Sequence, residues 1–245
     1  MLTAGEAHRA MEVLPLADLD AILAGADPLV LAPHADDESL GCGGLLAGCV
    51  ARGGRPSVLV LTDGTGSHPS SRAYPPARLR VQREQEARVA CGILGVAPDR
   101  VGFLGLRDTA APVAGPDFEA AVQAIAAALQ AQRCGVLLAP WRHDPHCDHE
   151  AAHLMAAAVA RRTGARHLAY PVWGWTLPPG TPLAGPAPQG WRLDITPYLP
   201  AKRRAVAAYL SQYSDLITDD PAGFRLPPAL LARFGQPFET FLDPP

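Results

Sequence analysis

The chain has 245 residues, 48% of them hydrophobic, and a formal net charge of −3. That allows one large domain or two small ones with a sizeable core, and the scattered basic residues form no stripe for nucleic acid. Five cysteines without CxxC pairing exclude a disulfide framework and fit a reducing compartment.

The first twenty residues lack a cationic start followed by an apolar run, so no signal peptide is expected. No apolar run approaches the roughly 20 residues of a membrane span. A soluble cytoplasmic protein without membrane or nucleic-acid partners is expected.

In chain order, four short apolar runs end abruptly in polar residues: PLVLAPH (28–34), SVLVLTDG (57–64), VGFLGL (101–106) and GVLLAP (135–140). Unbroken runs of this length predict strands buried on both faces of a parallel sheet. Helical stretches lie between and after them, at 40–52, 78–94, 118–132 and 151–162. YPVWGW (170–175) reads as a strand or a loop. Residues 176–190 are too rich in Pro and Gly for regular structure, and predict an insertion loop or lid that shapes specificity. Residues 200–213 read as one helix with Pro200 near its start, and FETFL (238–242) as a terminal strand. The alternation predicts one α/β domain over 1–245, with a core at about 27–170. Its fold is a doubly wound, Rossmann-like three-layer sandwich, with a mostly parallel sheet between helices.

In such folds ligands bind at the carboxyl edge of the sheet. The polar clusters after the four strands are therefore expected on one rim. They are His34–Asp36–Asp37–Glu38, then Asp63 to His68, then Arg107–Asp108–Thr109, then His143 to His149.

Metal hydrolases use three His, Asp, Glu or Cys ligands and leave a position open. His34 and Asp37 are three apart on a turn into a helix, so both can face one point. Asp36 between them can take a proton from water, since a metal lowers the pKa of its water to about 7. His146 and His149 are three apart at a helix start that Asp144 can cap and Pro145 can open. One of them can bind metal while the other, as imidazolium held charged by Asp148, stabilises an oxyanion.

A rival register exists. His149-Glu150-Ala151-Ala152-His153 fits the H-E-x-x-H pattern of zinc peptidases, with Glu150 as base. It lacks a third ligand and leaves Asp36, Asp37 and Glu38 without a task. The glycines of GCGGLLAG (41–48) suit close packing of a helix on the sheet better than a dinucleotide site. Cys147 reads as a bystander thiol and His143 as a supporting or solvent-facing residue. Trp141, Trp173 and Trp175 suit either a pocket lining or the core.

APHADDES resembles the (A/P)HPDDE signature of the LmbE/PIG-L zinc-dependent N-deacetylases, and PHCDHEA resembles their second H-x-D-H box. The similarity continues through LTDGTGSHPSSRAYPPARLRVQREQEARVACGILGV and FLGLRDT. The one departure within the signature is Ala35 where the family has proline. The resemblance implies a hydrolase acting on a carbon–nitrogen bond with one zinc per chain, bound by His34, Asp37 and His149. It implies Asp36 as general base, His146 as oxyanion stabiliser and amine acid, and Asp148 as its orienting partner. Arg83, in R-x-x-E with Glu86, and Asp108 would contact substrate, and His68 on the same rim is a further candidate. The implied substrate is a small acetylated amino-sugar conjugate of the N-acetylglucosamine type. A non-catalytic carbohydrate- or metal-binding protein on the same fold is the other alternative, and self-association is left open.

Overall fold

A computed structural model describes residues 1–244. The four apolar runs become β2 (Pro28–Ala32), β3 (Ser57–Thr62), β4 (Val101–Leu106) and β5 (Val136–Pro140), after a short β1 (Leu2–Thr3). β6 (Arg166–Tyr170), β8 (Gly190–Asp194) and β9 (Phe238–Leu242) complete a seven-stranded sheet in the order β4-β3-β2-β5-β6-β9-β8, and β7 (Pro182–Leu183) pairs apart with β1. The strands from β4 to β6 are parallel. β9 runs antiparallel to both β6 and β8.

Alternation explains why the central strands are apolar throughout. Val30, Ala32, Val58 and Val60 face one core with Leu45, Leu46, Ala87 and Ala90. Leu29, Leu31, Leu59 and Leu61 face another with Ile125, Leu129, Met155 and Val159. The first core packs α3 (Asp37–Ala51), α4 (Pro76–Ile93) and α7 (Leu199–Ala207), and the second packs α5 (Gly115–Ala131) and α6 (Cys147–Thr163). The result is the expected three-layer α/β sandwich.

The glycines of 41–48 do close packing: a Cβ at Gly41 would lie 2.3 Å from the Tyr170 ring, and one at Gly44 2.3 Å from Ile195. No helix among the described residues is long and apolar enough to cross a membrane.

Several expectations are corrected. β4 is an edge strand, so within it only Val101 is buried and the rest of the run is half-covered. The strand near 170 lies before Pro171, and Trp173–Thr176 is a 3-10 turn. The single helix at 200–213 is two pieces, α7 and α8 (Leu210–Tyr213), broken at Ala208–Tyr209. The amino-terminal α1 (Ala4–Glu12) and α2 (Leu19–Leu23), the late α9 (Pro228–Phe234) and strand β8 are additions to the expected elements. Short amphipathic pieces and a strand reading GWRLD carry weak periodicity.

Candidate active site

β2 occupies the turning point of the sheet. The chain winds from β2 to β3 to β4 on one side, then returns to place β5 on the other. The loops after β2 and β5 therefore diverge and open a crevice between them. The first box leaves β2 and the second leaves β5.

The first box is held tightly. Asp37 opens α3, and its Oδ2 accepts the His34 backbone N–H at 2.9 Å. Asp36 has φ 152°, a strained value for a residue with a side chain. Glu38 pins this turn by accepting the Asp36 N–H at 3.2 Å, and it also accepts the Ser39 and Tyr209 hydroxyls.

The two histidine rings are wired alike. His149 Nδ1 donates to Asp144 at 2.9 Å, which leaves Nε2 3.2 Å from Asp37 Oδ2. His34 Nε2 lies 3.1 Å from both Asp108 and Asp148, which leaves Nδ1 3.3 Å from the same Asp37 oxygen. A carboxylate behind each imidazole fixes its tautomer and aims the other nitrogen, as behind metal-binding histidines. His149 Nε2 is buried and has no hydrogen-bond partner among the described residues. Asp108 and Asp148 instead already accept backbone N–H groups from Gly66, Thr109 and Ala111.

Electrostatics favour a cation here. Burial opposes charge on both rings, yet the surrounding carboxylates raise His34 well above the usual imidazole range and His149 to about 9. Burial likewise opposes ionisation of Asp37 and Asp108, but His149 and His34 hold Asp37 well below the usual carboxylate range, and His34 does so for Asp108. Asp36 goes the other way: burial lifts it to about 7, against the nearby Arg83, whose Nη2 is 3.7 Å away. A site that draws protons onto two imidazoles also suits a divalent cation on the same nitrogens. His34, His146 and His149 bring one ring nitrogen each within 4.8 Å of one another, and the sets His34–Asp108–Asp148 and His146–Cys147–Asp148 do likewise. The orphaned His149 nitrogen beside Asp37 favours a centre that includes those two residues.

His146 caps α6. Its Nδ1 accepts the Asp148 backbone N–H at 3.2 Å, so the neutral ring carries its proton on Nε2. Burial, with His34 and His149 nearby, lowers its pKa. A cavity of about 150 Å³ opens beside these groups, lined by His34, Asp36, Asp108 and His146, while Asp37, Asp148 and His149 stay buried outside its lining. Its rim is His34 and Asp36 after β2, Gly66 and Ser67 after β3, Asp108 and Thr109 after β4, and His146 after β5. The four clusters expected to converge do so.

Residues 29–160 match the family described as PIG-L, GlcNAc-PI de-N-acetylase. The chain belongs to the PIG-L family. No curated protein matches it. Among solved structures, the conserved protein TT1542 from Thermus thermophilus is 29% identical, covering 90% of this chain and 95% of its own, with a TM-score of 0.63. The N,N'-diacetylchitobiose deacetylase from Pyrococcus horikoshii is 20% identical, covering 91% and 86%, with a TM-score of 0.66. The 4-carboxy-2-hydroxymuconate hydratase GalB from Pseudomonas putida KT2440 is 22% identical, covering 74% and 78%, with a TM-score of 0.54. The last two likenesses concern the fold. Deacetylases and a hydratase share it, so the reaction must be argued from the site.

Within this PIG-L chain the expected residues separate clearly. His34, Asp36, Asp37, His146, Asp148 and His149 come together, with Arg83 and Asp108 beside them. His68 does not line the cavity. It is 3% exposed beneath Gly223, where a Cβ would come within 2.1 Å of its ring. Asp144 does not cap the helix: its carboxylate holds His149 and the backbone N–H groups of Val172, Trp173 and Gly174. The Asp148 carboxylate does not hold His146 charged. It faces His34, and only its backbone orients His146. The H-E-x-x-H register is pulled apart: His153 bonds the Pro140 carbonyl at 3.1 Å in a different cavity, and Glu150 is exposed. The Pro-rich loop reaches that second cavity through Ala184 and residues 186–189, and does not line the first.

Sequence reading misses the supporting roles of Asp144 and Glu38, and the far wall formed by Trp173, Gln212 and Phe224. For Trp173 it leaves pocket and core equally open. Asp144 has a usable pointer, as the acid five residues before a histidine ligand candidate. Gln212 and Phe224 have none.

Proposed function

We propose that this PIG-L protein is a metal-dependent hydrolase that removes an acyl group, with acetyl the first choice, from the amide nitrogen of a small amino-sugar conjugate. One observation carries the reading. A buried, unpartnered His149 nitrogen beside Asp37 lies next to the His34 and His146 rings, which line a cavity together with Asp36. De-N-acetylation, the activity for which the family is named and that of the chitobiose deacetylase, supports it.

Zinc held by His34, Asp37 and His149 would polarise the amide carbonyl and acidify the attacking water. Asp36 accepts the water proton, and a carboxylate lifted to about 7 is a stronger base than a solvated one. His146 presents Nε2–H to the oxygen that gains negative charge. The proton collected by Asp36 passes to the departing nitrogen, directly or through His146. Arg83 and Asp108 contact the rest of the substrate from the rim.

The test is amine release from N-acetylglucosamine and related acetamides, with bound metal measured in wild type, His34→Ala and His153→Ala. Loss of zinc and activity in His34→Ala alone supports the reading. Loss of zinc in His153→Ala alone returns the peptidase register. Zinc binding without turnover on a broad acetamide panel leaves a binding protein.

A further inference from the structure

The rim accounts for the reacting atoms, but the opposite wall of the cavity has chemistry of its own. Gln212 lines it, is 1% exposed, and its carboxamide oxygen has no hydrogen-bond partner among the described residues. Buried acceptors are rarely left so without a ligand to fill them.

The orientation of that carboxamide is set by a chain of donors. Glu86 accepts the Ser211 backbone N–H at 2.8 Å and the Ser211 hydroxyl at 2.6 Å. A hydroxyl has one proton, and Ser211 gives it to Glu86. Toward Gln212, Ser211 Oγ can therefore only accept, and Gln212 Nε2 donates to it at 3.0 Å. The nitrogen end is thereby fixed and the oxygen end is left free. Across the same cavity, Arg83 Nε and Nη1 are buried donors without partners among the described residues. Trp173 and Phe224 stand edge to face at 5.6 Å between centroids.

A free acceptor, free donors and aromatic faces together fit a hydroxylated ring, since a hydroxyl both donates and accepts while ring C–H faces lie on aromatic surface. The acetyl group has no O–H or N–H to offer. A donor for Gln212 must come from the amine part of the substrate.

We propose that Gln212 is a specificity-determining residue whose Oε1 accepts a hydroxyl proton from the sugar ring of the substrate. Glu86 and Ser211 act as positioning residues that hold the carboxamide in this sense. The inference rests on the amino-sugar deacetylase reading.

Two acetamides separate the cases. N-acetylglucosamine has the ring hydroxyls, and N-acetylcyclohexylamine keeps the ring and amide N–H without them. Turnover and binding are measured for both, with wild type and the near-isosteric Gln212→Met, after matching their melting temperatures. Loss of one hydrogen bond is expected to lower kcat/KM for the sugar about tenfold or more, with the cyclohexyl compound unchanged within about twofold. As a check that needs no variant, one monodeoxy analogue of the sugar should lose a similar factor with wild type, and Gln212→Met should no longer distinguish it. An equal loss on both acetamides, or no deoxy analogue that Gln212→Met ceases to distinguish, overturns the proposal. Sugar that binds wild type more tightly than Gln212→Met yet is never hydrolysed keeps the Gln212 assignment and overturns the deacetylase reading. Hydrolysis of the cyclohexyl compound with no binding of the sugar does the reverse. No binding or hydrolysis of either overturns the Gln212 proposal, and the acetamide panel then decides the deacetylase reading.

Discussion

The two walls of the cavity are built on opposite terms. The rim wall comes from loops that leave β2, β3, β4 and β5, and it is crowded with paired carboxylates and imidazoles around one unpartnered His149 nitrogen. The far wall comes from the chain after β6 and carries two aromatic rings and one neutral carboxamide. It is tied to the rest of the site by the Phe224 N–H on the Ser67 carbonyl, the Trp173 N–H on Asp144 and the Ser211 N–H and hydroxyl on Glu86. Charge concentrated on one wall suits bond breaking, and a neutral, aromatic wall suits selection. Damage to the first should remove turnover or metal, and damage to the second should change which substrate is accepted.

The largest effect is expected at Asp36. Asp36→Asn should lower kcat by about 10²–10⁴-fold while bound zinc stays at the wild-type level. A variant that keeps more than a tenth of wild-type turnover would remove Asp36 as the base. Next comes the support of His149. Asp144→Ala should weaken zinc about 10–100-fold, read by competition with a chelating dye, because the His149 ring loses its fixed tautomer. Unchanged affinity would place the metal away from His149.

On the other wall, Phe224→Ala should raise KM for the sugar about 3–10-fold with zinc unaffected. A fall in kcat at constant KM would break the division between the walls. Smallest of all, His153→Ala should leave zinc and turnover unchanged, since its nitrogen bonds the Pro140 carbonyl and faces another cavity.

Acid sensitivity offers a control outside both walls. Burial pushes the His167 imidazole down to about 3, and its Nε2 has no hydrogen-bond partner among the described residues. The unfolded ring titrates at about 6.5, so between these values the unfolded chain binds the extra proton. The stability contributed by the neutral buried ring is complete above about 6.5 and is lost progressively as pH falls toward 3. His167→Gln should flatten that slope in urea midpoints measured across the range, and an unchanged slope would assign the acid sensitivity elsewhere.

The fold is legible where the sequence carries long, unambiguous patterns. The runs at 28–34, 57–64, 101–106 and 135–140 all contain strands, at Pro28–Ala32, Ser57–Thr62, Val101–Leu106 and Val136–Pro140. The same patterns mislead at β4, because an apolar run does not say whether its strand is central or at the edge. The helix at 200–213 reads as continuous because no Gly or Pro marks the break at Ala208–Tyr209, where the Tyr209 hydroxyl reaches the buried Glu38.

The site divides in the same way. His34, Asp36, Asp37, His146 and His149 are legible because their spacing is local and their chemistry scarce. His68 is misplaced because lying in a rim loop does not decide which way a side chain turns, and Gly223 from a distant segment takes the space over its ring. Asp148 and Asp144 stand out in the sequence, but spacing alone gives each the wrong partner.

By itself the sequence determined the strand–helix alternation, the two boxes and the family they indicate, because these depend on periodicity and short spacing. Only the tertiary structure decided which nitrogen of each imidazole is free, which carboxylate stands behind it, and that Gln212 and Phe224 close the cavity. Those facts depend on contacts between residues as far apart as 38 and 209, or 67 and 224. Such contacts arise from packing around a shared core, and no local pattern encodes them.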